Sequence, residues 1–112
     1  MPTIDTCGHE SRREEFSYRG TVEDGVVLLF DSGEFTIDAD IINATKEHFR
    51  GRRVRGGFNM TDSPSGSVGS FLAQQGRALT PRHASFLCPI LQHEGHVQCE
   101  LEGNTVWVTF PA

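Results

Sequence analysis

No apolar run in this chain approaches the roughly 20 residues that a membrane-spanning helix needs, so a helical membrane anchor is excluded. Cysteine is scarce. Cys7, Cys88 and Cys99 are an odd number, whereas a small secreted domain carries an even set at disulfide density. Met1 to Glu10 has neither a basic start nor an apolar stretch, and the charged segment Ser11 to Glu15 follows, so an export leader is not expected. Together these absences predict a protein of the reducing cytoplasm. Internal repeats and heptads are missing too, and 17 Gly and Pro in 112 residues is close to ordinary, which excludes collagen-like, low-complexity and coiled-coil architectures.

Catalytic signatures are equally thin. The window Gly66 to Ser70 resembles a nucleophile elbow but has Val68 where the serine would stand. The Gly/Ser stretch Ser63 to Ser70 lacks the Gly-Lys-Ser/Thr ending of a phosphate-binding loop, and reads as a loop entering a helix. The carboxylate pairs Glu14-Glu15 and Glu23-Asp24 are flanked by turn or charged residues rather than by an apolar pocket wall. A non-enzymatic protein without a cofactor is the expectation.

What is present suffices for one core. Leu, Ile, Val and Phe number 28 of 112 residues, and a chain of this length buries roughly two-thirds of its unfolded surface. We expect a single domain over residues 1–112, with residues 1–13 as a flexible tail. Phe16 to Glu23 alternates as a strand, and Asp24-Gly25 is a strong hairpin signal. Val26 to Phe30 is continuously apolar and reads as a strand buried on both faces, and Glu34 to Ile37 as a third strand. Asp38 or Asp40 caps a helix over Ala39–Arg50, with Ile41, Ile42, Thr45, His48 and Phe49 at helical spacing and Gly51 as its stop. Phe58 and Met60 suit a short strand, and Thr61 to Gly66 a loop. Ser67 to Gln75 is a short helix. Thr80-Pro81 opens another, which Pro89 threatens to kink or divide and Gly95 ends. His96 to Leu101 and Thr105 to Phe110 form a closing hairpin. The fold class is α+β: an N-terminal three-stranded β-meander, then a helix, a short strand, two helices and a C-terminal β-hairpin.

Charge is unevenly spread. Residues 1–45 carry ten acids against three bases, whereas residues 46–112 carry seven bases against five acids. Within the second half Lys46, Arg50, Arg52, Arg53 and Arg55 face only Glu47. Such a strip suits phosphate contacts, or equally a solvated, ion-paired surface.

In its order of elements, and not in any sequence motif, the segment Ala39 to Phe110 resembles a winged helix-turn-helix. That resemblance implies a turn at Gly76 to Leu79 and a recognition helix from Pro81, with Arg82, His83, Ser85, Gln92 and His93 as its polar positions. Phe86, Pro89 and Ile90 on that helix, and Glu100 and Glu102 on the hairpin, depart from what DNA binding requires.

Cys88, His93, His96 and Cys99 bear zinc-ligating side chains, but their C-x4-H-x2-H-x2-C spacing matches no standard zinc arrangement, and no metal is expected. Trp107 lies on the opposite strand face from Val106 and Val108, which makes it a candidate partner contact unless the meander covers it. Two binding functions therefore stand. The preferred one is nucleic-acid binding, with Arg50, Arg52, Arg53 and Arg55 on phosphates, Arg82 and His83 at base edges, and Arg77 as a further cation of the same face. The other is protein interaction or homo-oligomerisation through the apolar hairpin and Trp107.

Overall fold

The computed structural model describes residues 3–6, 15–58, 64–76, 78–103 and 105–112. Among the described residues, seven strands and three α-helices follow in the order β1 (Thr3–Asp5), β2 (Glu15–Thr21), β3 (Gly25–Phe30), β4 (Gly33–Ile37), α1 (Ala39–Phe49), β5 (Arg53–Arg55), α2 (Val68–Ala73), α3 (Ala84–His93), β6 (Gln98–Glu102) and β7 (Thr105–Thr109), with a 3-10 turn at Pro81–His83 leading into α3. The α+β class holds, and its N-terminal sheet is antiparallel.

That sheet has four strands rather than three. Thr3–Asp5 pairs with Glu15–Ser17 and extends the meander to the order β1-β2-β3-β4. The segment is too short to announce itself by alternation. The first hairpin turn spans Val22 to Asp24, closed by the Asp24 N–H on the Thr21 carbonyl at 3.2 Å, and the positive φ of 97° falls on Gly25. β3 is buried on one face only. Val26 and Leu28 are inside, while Val27 and Leu29 are half-buried and Phe30 is exposed at its end. The expectation of burial on both faces fails because the helices cover a single side of the sheet.

α1 buries Ile41, Ile42, Thr45 and Phe49, as their spacing demands. A short strand follows at Arg53–Arg55, ahead of the Phe58 and Met60 segment where one was expected. Val54 alone turns inward there, Phe58 packs against the core from a loop, and Met60 lies outside the described residues. β5 pairs with β7, and β7 with β6, giving a second antiparallel sheet in the order β5-β7-β6.

Pro89 does not interrupt α3, which runs unbroken from Ala84 to His93. This helix is the centre of the molecule. Ala84 and every residue from Phe86 to Leu91 are buried, because α3 lies between the two sheets. On one side the Phe86 ring meets Phe16 at 5.1 Å and Phe30 at 5.2 Å, both from the four-stranded sheet. On the other, the Cys99 N–H of β6 donates to Gln92 Oε1 at 2.7 Å. One apolar cluster runs through both sheets and all three helices, at about 25 cal/mol for each Å² of apolar surface removed from water. Among the described residues no helix is long and apolar enough to cross a membrane.

Candidate interaction surface

The alternation of β5, β6 and β7 divides the three-stranded sheet into two chemically distinct faces. Val54, Cys99, Val106 and Val108 turn towards the core. The outer face carries Arg53 and Arg55 on β5, Trp107 on the central strand, and Gln98, Glu100 and Glu102 on β6. Trp107 is half-buried, with Arg55 beside it on one strand and Glu100 on the other. The Arg53 guanidinium lies 4.5 Å from the indole centroid and that of Arg55 5.5 Å from it. Both are within range for attraction to the negative π face. Arg53 also crosses the central strand to Glu102 Oε1 at 2.7 Å and Glu100 Oε2 at 3.8 Å. The face is thus a cationic column, an aromatic centre and an anionic column, with no net charge.

The remaining candidate cations are dispersed. Arg50 pairs with Glu47 in the last turn of α1. Arg52 donates to the His48 carbonyl at 3.1 Å and lies over the Phe49 ring. Arg77 falls outside the described residues. Arg82 is exposed on the 3-10 turn. His83 is committed to local structure: its Nδ1 accepts the Thr80 N–H at 2.9 Å, and its ring stacks on Phe35 of the four-stranded sheet at 4.1 Å. Burial holds its pKa below the ordinary 6.5. Arg53 and Arg55 are therefore brought together with Trp107, whereas Arg82 and His83 belong to the other sheet's side.

Cys88, His93, His96 and Cys99 turn to different partners. Cys99 Sγ lies 3.8 Å from the Cys88 carbonyl, His93 meets the Tyr18 ring edge-on at 6.4 Å, and His96 Nε2 is 3.5 Å from Glu23 Oε1. Among the described residues, one set of three potential ligands brings its donor atoms within 4.8 Å: Glu23, Glu94 and His96. Glu94 is held by the fold itself. Its Oε2 accepts the Tyr18 hydroxyl at 2.8 Å and its Oε1 the Val22 N–H at 3.0 Å. Burial raises the Tyr18 pKa, and the hydrogen bond to Glu94 and that carboxylate's charge raise it further. These bonds tie the end of α3 to the first hairpin and account for the carboxylate's position without an ion.

The Gly/Ser segment is likewise used internally. Ser67 Oγ caps α2 by accepting the Ser70 N–H at 3.1 Å, and the Gly69 N–H donates to the Gly56 carbonyl at 2.8 Å. A cavity of about 340 Å³ opens between β1, α3 and β6, lined by Ile4, Thr6, Pro89, Gln92, His93 and Cys99 among others. The chain matches no protein-family model, no curated protein and no solved structure.

Sequence reasoning found Trp107 by its alternation with Val106 and Val108. It missed Glu100 and Glu102 as members of the same surface as Arg53. Glu102 is 49 residues from Arg53, and only the pairing of β5 with β7 brings the two columns together.

Proposed function

We propose that the chain is a non-enzymatic protein-binding module whose docking surface is the outer face of the three-stranded sheet, centred on Trp107. The observation that carries this reading is the position of the chain's single tryptophan, at the middle of an exposed sheet face between two arginines and two glutamates. Trp and Arg are the residue types that most often supply binding energy at protein interfaces, and a polar rim with balanced charge suits a protein partner. We read residues 39–110 as a winged-helix-like unit turned to protein binding in the cytoplasm. Its third helix buries Ala84 and Phe86 to Leu91 in the core, which leaves Ser85, Gln92 and His93 as the residues of α3 that reach its outside.

Nucleic acid is the second reading, favoured by Arg52 and Arg55. Among the described residues neither has a carboxylate partner, and a phosphate backbone could recruit both. Glu100 and Glu102 on the same face oppose it.

The test is a display selection of peptides and small domains on the wild type, followed by rebinding to Trp107→Ala. A parallel titration with mixed DNA and RNA at low and moderate salt uses wild type and an Arg52→Ala/Arg53→Ala/Arg55→Ala variant. Selected binders should lose at least about tenfold in affinity for Trp107→Ala, the order of a hot-spot truncation. Binders indifferent to Trp107 would overturn the proposal, and salt-sensitive nucleic-acid binding lost in the Arg variant would install the second reading in its place.

A further inference from the structure

Resting on the protein-binding reading, we infer that the partner this face fits is a second copy of the chain. The strand order β5-β7-β6 separates the charges by strand: Arg53 and Arg55 on one edge, Glu100 and Glu102 on the other, and Trp107 between them. Two such faces can meet about a twofold axis that lies in the interface and runs along β7. That rotation carries β5 of one copy over β6 of the other. Each arginine column then faces the partner's glutamate column, twice by symmetry, and Trp107 meets the partner's Trp107 at the axis. A twofold axis in the interface but perpendicular to the strands would instead set arginine on arginine and glutamate on glutamate. Charge therefore selects one arrangement, and it is self-complementary, as the interface of a symmetric dimer must be. Aligned packing of two sheets face to face, about 10 Å apart, is an ordinary geometry.

The intrachain contacts support the exchange. Arg53 already spans the central strand to reach Glu100 and Glu102, so its guanidinium has the length and orientation to meet a carboxylate above the indole. Exposed pairs of this kind contribute little in the monomer, so trading them for the same pairs across an interface is nearly neutral. The gain comes from removing two half-buried indoles from water. The outer face of the four-stranded sheet lacks this arrangement. Its Arg19–Glu34 pair straddles β3 beside Val27 and Leu29, with no aromatic centre. Three strands about 4.8 Å apart make a patch only roughly 15 Å across. That is smaller than the ~800 Å² per partner of a stable complex, so the dimer is weak and concentration-dependent.

The experiment is sedimentation of the full chain from about 10 μM to about 1 mM, a range that brackets weak association. It is run on the wild type, on Arg53→Glu/Arg55→Glu, on Glu100→Arg/Glu102→Arg, and on an equimolar mixture of the two variants. The first variant presents two acidic columns and the second two basic ones, so neither should self-associate. Mixed, they restore opposite charge on both sides and should associate at least as well as the wild type. Wild-type association should shift Trp107 emission to the blue. A wild type that stays monomeric at the highest concentration overturns the inference. So does either variant self-associating like the wild type, or a mixture of folded variants that shows no recovery. Should a variant fail to fold by circular dichroism, the wild-type series decides alone. A monomeric wild type together with Trp107-dependent binders in the selection removes the second copy and leaves the protein-binding reading. A monomeric wild type without such binders removes both.

Discussion

His83 does two things with one ring: Nδ1 accepts the Thr80 N–H, and the imidazole face stacks on Phe35. The accepted hydrogen bond needs an unprotonated Nδ1, and burial lowers the pKa below its ordinary 6.5. In the unfolded chain His83 takes up a proton near 6.5, whereas in the folded protein it does so only at lower pH. Between those values the unfolded state binds more protons. The contribution of His83 is therefore complete above 6.5 and is lost as pH falls through the folded value. The wild type should lose urea resistance over that window more steeply than His83→Gln, which has nothing to titrate at the position. Parallel pH profiles for the two proteins would show that His83 is not held neutral.

Among the elements, α2 is fixed by close approach. An ideal Cβ on Gly69 would stand 1.8 Å from the Gly57 carbonyl oxygen and 3.1 Å from Pro81 Cβ. Backbone must move to admit it, and the Gly69 N–H would lose its bond to Gly56. Gly69→Ala should cost about 3 kcal/mol in chemical denaturation, the upper range for overpacking. A cost below about 1 kcal/mol would mean that α2 and the segment after β5 do not meet this closely. The end of α3 is fixed by polar contacts instead. Tyr18→Phe should cost about 1 kcal/mol, and Glu94→Ala about 2–3 kcal/mol because it strands both the Val22 N–H and the Tyr18 hydroxyl. The sequence disclosed the elements with a period. α1, β2 and the β6–β7 hairpin could be read because their apolar residues recur at 3.6 or 2 positions. β1 and β5, with three residues each and one inward side chain, have no period to read. Phe86 to Leu91 in α3 are all buried, and only the two sheets packed against that helix reveal what covers them. The same holds for the candidate surface. Its tryptophan was visible in one strand, whereas its charge pattern exists only after three strands have been placed in order.

At the scale of the molecule, the helix between the sheets has a consequence for cooperativity. α3 buries side chains against the four-stranded sheet through Phe86 and is tied to the three-stranded sheet through Gln92 and Cys99. Neither sheet can separate without exposing the α3 residues that both share, so the two should unfold as one unit. The composition supplies a reporter for each: the only tyrosine, Tyr18, lies in the four-stranded sheet, and the only tryptophan, Trp107, in the three-stranded one. Urea transitions followed by Tyr18 near-ultraviolet absorbance and by Trp107 emission should share a midpoint. Leu87→Ala, which removes a fully buried side chain from α3, should lower both midpoints together, at a cost of about 2–5 kcal/mol. Two separated midpoints, or a Leu87→Ala shift confined to one reporter, would mean that each sheet has its own core and that α3 belongs to only one of them. Coincident transitions would also bear on binding. A partner seated on Trp107 would then stabilise the distant Tyr18 sheet by the same amount as its own, since ligand free energy is shared across a cooperative unit.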